Sequence, residues 1–557
     1  MRNESVLTMV PPNAPENRTE DREFGKEWWR GAAIYQIYPR SFRDSDGDGI
    51  GDLRGITEKL DYVADLGVDG VWISPFYRSP MNDFGYDVSD YCSIDPVFGT
   101  LQDFDALIGK AHGLGLKVII DQVYCHTSDQ HAWFRESRQN TDNQSADWYV
   151  WASPKADGTP PSNWLSVFGG PAWSWDGRRQ QYYLHHFLSS QPTLNLHNDE
   201  VIAALISAGE FWIDRGVDGF RLDALNMGMH DPSLRDNPAH PDSGTKLKTF
   251  EMQQHIRGMN QPEMTKVVAR FAEAFRRAGG DSFFTVAEIG GAEPLSRMVA
   301  YTEGRSLLSS AYSFDFIGAM HADAGAISAS LTAWPNDLDR GYPGWALSNH
   351  DCHRVASRWS LPRSPQGRNV RLFALLHAAI RGVTFIYQGE ELGLPQADIP
   401  FDKLVDPEGI ANWPADQGRD GARTPFPWTG NDPYAGFSTH EPWLPIDPAH
   451  LPLNAHDQCS NEESIHHFFR EALGMRRNNP ALRLGDFKDL SDGKPLIAFE
   501  RSLSGKTLIC CINLQAEAQT WAHPVGASRI LISAGLNGQT GMPTELPAHS
   551  GFIAERV

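Results

Sequence analysis

The 557-residue sequence predicts an α/β protein: a (β/α)8 barrel with a subdomain inserted after its third strand and a C-terminal antiparallel β domain. Three observations carry that prediction. Eight short apolar runs between residues 32 and 390 alternate with segments of helical periodicity, the rhythm of parallel strands covered on both faces. The stretch 126–190 is too long, and too rich in Trp, Gly, Pro and Asn, for an ordinary strand-to-helix connection. After residue 485 the pattern becomes strands separated by turns, without helices between them.

In chain order, residues 1–27 are polar, contain two adjacent prolines and lack an apolar stretch long enough for a signal peptide, so they read as a tail. The barrel is assigned to 28–125 and 191–484. Its strands are expected at 32–39, 67–74, 116–123, 217–224, 283–290, 311–317, 344–350 and 382–389. Between the first two, LRGITEKLDYVADLG (53–67) puts Ile56, Leu60, Val63 and Leu66 on one helical stripe. The insert, 126–190, contains Trp133, Trp148, Trp151, Trp164, Trp173 and Trp175, which read as the makings of a small separate core. Residues 231–262 read as a polar loop. The β domain, 485–557, is carried by KPLIAFERSL, SGKTLICCINL and SRILISAGLNGQTG.

Composition narrows the function. Lys and Arg total 49 against 70 Asp and Glu, a net charge of −21, which argues against a nucleic-acid binder and against docking on anionic membranes. No run of about 18 apolar residues could span a bilayer. The six cysteines (92, 125, 352, 459, 510 and 511) form no C-x-x-C pair, and adjacent Cys510 and Cys511 would point to opposite faces of a strand. Free thiols, a reducing cytoplasmic setting and a monomer or homodimer acting on small molecules are the expectation.

Chemistry concentrates at the C-terminal ends of the strands, where barrels of this type build active sites. Those ends supply Asp121 and His126 after strand three, Arg221 and Asp223 on strand four, Glu288 on strand five, and His350 with Asp351 after strand seven. The loop after strand two adds Tyr86 and Asp87. Charges inside apolar strands are costly unless paired or functional. Arg221 and Asp223 share a face, so the guanidinium is expected to depress the Asp223 pKa, whereas burial and neighbouring carboxylates should raise that of Glu288. One ionised and one protonated carboxyl is what glycoside hydrolysis requires.

The runs DQVYCH (121–126), GFRLDALN (219–226), VAEIG (286–290) and SNHD (348–351) resemble, in order and spacing, the four short sequence regions of the α-amylase superfamily of glycoside hydrolases. IYQIYPRSF (34–42), DGDGIGDL (46–53), GYDVSDY (85–91), IYQGEELG (386–393) and ARTPFPW (422–428) extend the likeness over about 28–557, nearest the bacterial α-glucosidase and oligo-1,6-glucosidase branch. The resemblance implies Asp223 as nucleophile, Glu288 as general acid and then base, and Asp351 as the third carboxylate. It implies Arg221 holding the nucleophile charged, His126, His350 and Asp121 around the bound sugar, and Tyr86 as a platform for its ring. A retaining mechanism would place the Asp223 and Glu288 carboxyls about 5–5.5 Å apart. In the exo-acting α-glucosidases that the sequence resembles, the residues matching Asp87 and Arg423 grip the non-reducing glucose, closing the pocket so that glucose is released singly; a scaffolding salt bridge under the loop is the other reading. Phe168 in the insert is a candidate lining residue.

The loop DSDGDGIGD (44–52) offers Asp44, Asp46, Asp48 and Asp52 at alternating positions, hard ligands suited to Ca²⁺ or Mg²⁺. In the family the matching loop holds one structural Ca²⁺, with the backbone carbonyl of Ile50 as a further ligand. Two positions bear on specificity. QPTLN (191–195) carries Thr193 where the oligo-1,6-glucosidase branch has an acid, and Ala224 follows the nucleophile where α-1,6-preferring relatives usually carry Val. The leading reading is a retaining exo-α-glucosidase acting on maltose-type substrates and sucrose, with transglucosylation. An oligo-1,6-glucosidase, or a glucosyltransferase or sucrose-converting enzyme of the same family, is the alternative. An inactive scaffold relative would be expected to lack one of the three carboxylates. A metal-dependent hydrolase would need its ligands at the barrel mouth, not at the end of strand one.

Overall fold

Eight parallel strands follow one another around the ring in chain order: β1 (Ala33–Ile37), β2 (Gly70–Ile73), β3 (Lys117–Val123), β4 (Gly219–Asp223), β5 (Phe284–Ile289), β6 (Ser310–Ser313), β7 (Gly344–Ala346) and β8 (Val383–Tyr387). A parallel bridge between Ala311 and Pro343 links β6 to β7 and closes the barrel. The expected barrel is present, each strand lying within or overlapping its expected apolar run. The computed structural model describes residues 27–556 apart from 292–293, 338–339, 362–363, 365–366, 522–527, 537 and 539–540; all but the last residue of the 1–27 tail lies outside the described residues.

The helices form where apolar stripes meet caps. Helix α1 (Leu53–Asp65) buries Leu53, Ile56, Leu60 and Val63, and the Asp52 carboxylate accepts from Gly55 N at its start. Helix α2 (Leu101–Gly113) opens on a reciprocal Thr100–Asp103 capping box. Helix α3 (Asp199–Ile213) is capped by Asn198, and α4 (Met264–Gly279) buries Val267, Val268, Phe271 and Phe275. Four more, α5 (Pro294–Thr302), α6 (Ala324–Ala333), α7 (Arg368–Ala379) and α8 (Ile465–Asn478), complete the outer layer. No described helix is long and apolar enough to cross a membrane.

The insert folds around a three-stranded antiparallel sheet formed by Trp151–Ala152, Gln181–Leu184 and Trp173–Asp176. Its own core holds only two of the six tryptophans, Trp164 stacked on Trp173. Trp133, Trp148 and Trp151 pack against the barrel's apolar mass instead, and Trp175 is exposed. The insert therefore has a small core of its own and is also packed onto the barrel.

The C-terminal sheet is made of β9 (Asp486–Asp489), β10 (Ile497–Leu503), β11 (Lys506–Asn513), β12 (Ser528–Ala534) and β13 (Ser550–Arg556), in the spatial order β9-β10-β11-β13-β12 with all pairs antiparallel. Cys510 faces the main core and Cys511 the domain's own core, as strand alternation requires, and none of the six thiols is paired. Arg501 and Arg476, both buried, fasten this end: Arg501 donates to the carbonyls of Ala379, Leu482 and Gly485, and Arg476 to those of Gly31 and Ile380.

Candidate active site

Strand β4 puts Arg221 and Asp223 on its inward face, and the register sets Arg221 beside Asp121 of β3 and Glu288 of β5 beside Tyr312 of β6. Arg221, fully buried, serves three carboxylates from three adjacent strands. Its Nη1 donates to Asp121 Oδ1 at 2.7 Å and to Asp223 Oδ1 at 2.5 Å, while Nη2 pairs with Glu288 Oε1 at 2.7 Å. Its Nε donates to Tyr312 Oη at 3.1 Å, and that hydroxyl donates to Glu288 Oε1 at 3.0 Å. Asp223 and Glu288 are thus brought to one side chain, both oriented by one planar cation.

Burial dominates the titration of this cluster. It pushes the Asp223 carboxyl up to about 7 against the opposing charge of Arg221. Arg221 pulls the Asp223 pKa down as expected, but desolvation outweighs the ion pair and the net shift is upward. Glu288 is likewise raised to about 7 by burial, with Arg221 opposing and the charges of Asp223 and Asp351 adding to the rise. The charge of an ionised Asp223 raises Glu288 further and so favours the proton on Glu288.

The chain leaves β4 under strain. Ala224 adopts a left-handed conformation (φ 41°, ψ 35°), which a non-glycine residue holds only when its surroundings enforce it. Asn226, two residues on, donates to Asn260 Oδ1 and to the Gly290 carbonyl, tying the turn to the loops after β4 and β5.

Asp351 belongs to the same charged cluster, its charge acting on both Asp223 and Glu288. Its Oδ1 accepts from Arg423 Nη2 at 2.9 Å and Arg419 Nη1 at 3.3 Å, and Oδ2 lies 3.2 Å from His350 Nε2. Burial alone would raise its pKa; His350, Arg419 and Arg423 outweigh that and hold the carboxyl well below its usual range. Burial pushes the His350 imidazole down to about 3, so it is neutral near pH 7 and the two guanidinium groups carry the effect. His350 is itself clamped between Tyr86 and Tyr38, its ring 5.1 and 5.6 Å from theirs.

The expected Asp87–Arg423 pair is not formed. The Asp87 carboxylate accepts from Ser79 Oγ, Asn82 N and Asp83 N, and so closes its own loop, in which Met81 and Phe84 have positive φ. Arg423 is turned to Asp351 and to the carbonyl of His350. The carboxylate and guanidinium that do meet are Asp83 and Arg419, at 2.9 Å, with Asp406 also gripping Arg419 and Gln191 donating to Asp83. Sequence reasoning missed both, along with Tyr312. The paired arginines of GRDGAR (418–423) were the available signal.

The remaining candidates take supporting places. Asp121 is wholly buried behind Arg221, also accepting from Trp72 Nε1 at 2.9 Å and Tyr86 Oη at 3.1 Å; burial raises it to about 6 against the pull of Arg221. His126 is buried too, its Nε2 donating to the Tyr86 carbonyl at 3.0 Å, which fixes the Tyr86 loop. Phe168 lies under the Arg419 guanidinium, 5.0 Å from ring centre to Cζ, and edge-on to Phe187.

In the acidic loop, Asp44, Asp46 and Asp48 bring one oxygen each within 4.8 Å of one another. Burial raises the Asp48 carboxyl, as do the charges of Asp46, Asp44 and Asp52, while a hydrogen bond from Ile50 N opposes. Such a cluster suits a hard divalent cation. Asp52 is engaged otherwise, accepting from Ser45 N, Ser45 Oγ and Gly55 N.

Residues 36–485 match the family model described as "Alpha amylase, catalytic domain". A "Probable alpha-glucosidase" of Rhizobium meliloti (strain 1021) is 45% identical over 95% of this chain and 97% of its own. An "Oligo-1,6-glucosidase" of Heyndrickxia coagulans is 34% identical over 91% of this chain and 95% of its own. The crystal structure of an "alpha-glucosyl transfer enzyme, XgtA" superposes with a TM-score of 0.89 at 44% identity, covering 95% of this chain and all of that one.

Proposed function

Since the chain belongs to the α-amylase family and is a glycoside hydrolase of its α-glucosidase and oligo-1,6-glucosidase group, we propose that it is a retaining exo-acting α-glucosidase. It releases glucose from the non-reducing end of short α-glucosides of the maltose type, and from sucrose, with transglucosylation as a side reaction. The observation that supports this reading is the Arg221 bridge, one guanidinium holding both Asp223 and Glu288.

Glu288, holding the shared proton, protonates the glycosidic oxygen as Asp223 attacks the anomeric carbon. A β-glucosyl ester forms on Asp223, and the aglycone leaves. Glu288, now ionised, takes a proton from an incoming water, whose oxygen displaces Asp223 and restores the α-configuration. Arg221 stabilises the carboxylate that Asp223 regains. Asp351, kept ionised by Arg419 and Arg423, accepts hydrogen bonds from sugar hydroxyls and faces the positive charge developing at the anomeric carbon. Asp83 and Arg419 bind vicinal hydroxyls of the terminal glucose through charge-assisted hydrogen bonds, which bounds the pocket on that side. Tyr86, stacked on His350, offers the ring face.

Ala224, with less bulk than Val beside the aglycone side, supports α-1,4 or broad linkage preference, though one methyl-scale change is worth only about 1–3 kcal/mol. The likeness to an α-glucosyl transfer enzyme supports a second reading in which a sugar hydroxyl replaces water in the second step. Asp44, Asp46 and Asp48, with the Ile50 carbonyl, would hold a structural Ca²⁺ or Mg²⁺ in the loop after β1. The protein acts in the cytoplasm as a monomer or homodimer, with six free thiols. Product analysis on p-nitrophenyl α-glucoside, maltose, isomaltose, sucrose and maltopentaose tests the reading. Glucose alone, first as the α-anomer, supports it; early maltose or maltotriose from the pentaose contradicts it.

A further inference from the structure

The loop between β4 and α4 and the loop after β8 rise from strands four places apart in an eight-strand ring, so they face each other across the barrel mouth. On one side the β4 loop is docked on the insert: Trp164 Nε1 donates to the Arg235 carbonyl at 2.8 Å and Asn163 Nδ2 to that of Asn237 at 2.9 Å. On the other side Lys248 reaches over to the β8 loop. Its Nζ pairs with Glu408 Oε1 at 2.6 Å and with Asp416 Oδ2 at 2.5 Å. Among the described residues, both ion pairs joining these two loops are made by Lys248. Apolar packing does not substitute for them: Leu247 next to Lys248 is 78% exposed and Ile410 of the β8 loop 47%.

The bridge is wired to the site wall. Glu408 Oε2 lies 3.7 Å from Arg419 Nε, and Arg419 reaches both Asp83 and Asp351. We infer that Lys248 is a positioning and specificity-determining residue: its two ion pairs strap the β4 loop to the β8 loop and narrow the mouth through which the aglycone leaves, so that short substrates are favoured over long ones. This rests on the α-glucosidase reading for its substrates, while the strap itself rests only on geometry.

The test compares kcat and KM for p-nitrophenyl α-glucoside and for maltopentaose in the full-length protein and its Lys248→Met and Lys248→Arg variants, with hydrogen exchange of residues 240–256 alongside. In Lys248→Met, kcat/KM for the pentaose should rise about fivefold relative to the nitrophenyl substrate, the scale of partly exposed ion pairs. The change should lie in KM, Lys248→Arg should restore the ratio, and exchange in 240–256 should quicken only in the Met variant. An unchanged ratio, or an equal loss of kcat on both substrates that Arg does not rescue, overturns the inference. If the unaltered protein cleaves neither substrate, the functional reading fails instead. Exchange then decides the strap: faster exchange in the Met variant supports it, and unchanged exchange overturns it.

Discussion

Arg419 donates to Asp83 at 2.9 Å across 336 residues of sequence, joining the loop after β2 to the loop after β8 at the edge of the catalytic cavity. Asp83→Asn keeps the shape of that contact and removes its charge. A hydrogen bond to a charged group is worth ~1.5–3 kcal/mol, so kcat/KM on p-nitrophenyl α-glucoside should fall roughly 10- to 100-fold. Asp87→Asn, four residues away, should reveal itself chiefly as a lower melting temperature, since Asp87 closes its own loop. Steady-state kinetics and thermal unfolding of both variants separate the two roles.

The Asp223–Glu288 pair predicts a bell-shaped dependence of kcat/KM on pH. Activity requires one proton between two carboxyls that burial raises to about 7. Above that range the proton is lost from Glu288; below it Asp223 is neutralised. Glu288→Gln should abolish the alkaline limb and slow maltose cleavage far more than that of p-nitrophenyl α-glucoside, whose leaving group needs little protonation. A pH–rate profile on both substrates checks this.

The same raised values make the site a cost to the fold at neutral pH. Both carboxyls have a higher pKa in the folded chain than the ordinary 3.8 and 4.5, so between those values and about 7 the native state binds more protons than the unfolded one. Stability therefore falls as pH rises through that window. Asp223→Asn, which removes one of these groups, should melt higher than the unaltered protein at pH 7, with the gap closing towards pH 4. Melting curves across that range test the sign, and kcat for the same variant should drop by several orders of magnitude.

The acidic loop gives two separable outcomes. Calcium at millimolar concentration should raise the melting temperature, and Asp46→Asn or Asp48→Asn should cancel that rise. Asp52→Ala should instead cost ~0.5–2 kcal/mol even in EDTA, because Asp52 caps α1. Thermal unfolding with and without the ion distinguishes ligand from cap.

The barrel was legible because each strand is a short apolar run bounded by turns, and Asp223 and Glu288 stood out as charges embedded in such runs. Loop geometry was not legible. Asp83 and Asp87 lie in one turn, and only the left-handed Phe84 and Gly85 between them decide which faces the mouth. Arg419 and Arg423 have no periodicity to separate them, so the letters alone do not tell which of them meets an aspartate of this turn. The sign of the Asp223 shift also escaped prediction, since an adjacent guanidinium is visible in a sequence and the depth of burial is not. Tyr312 shares the inward register of Glu288, yet a tyrosine in an apolar strand carries no signal of its own.

Reaction with a fluorinated glucosyl fluoride, which slows the second step so that a covalent glycosyl-enzyme accumulates, followed by peptide mass spectrometry, tests the central claim most directly. One sugar attached to the peptide carrying Asp223, with turnover recovering as the adduct hydrolyses, is the result expected. No adduct, together with β-glucose as the first product of maltose cleavage, would contradict it.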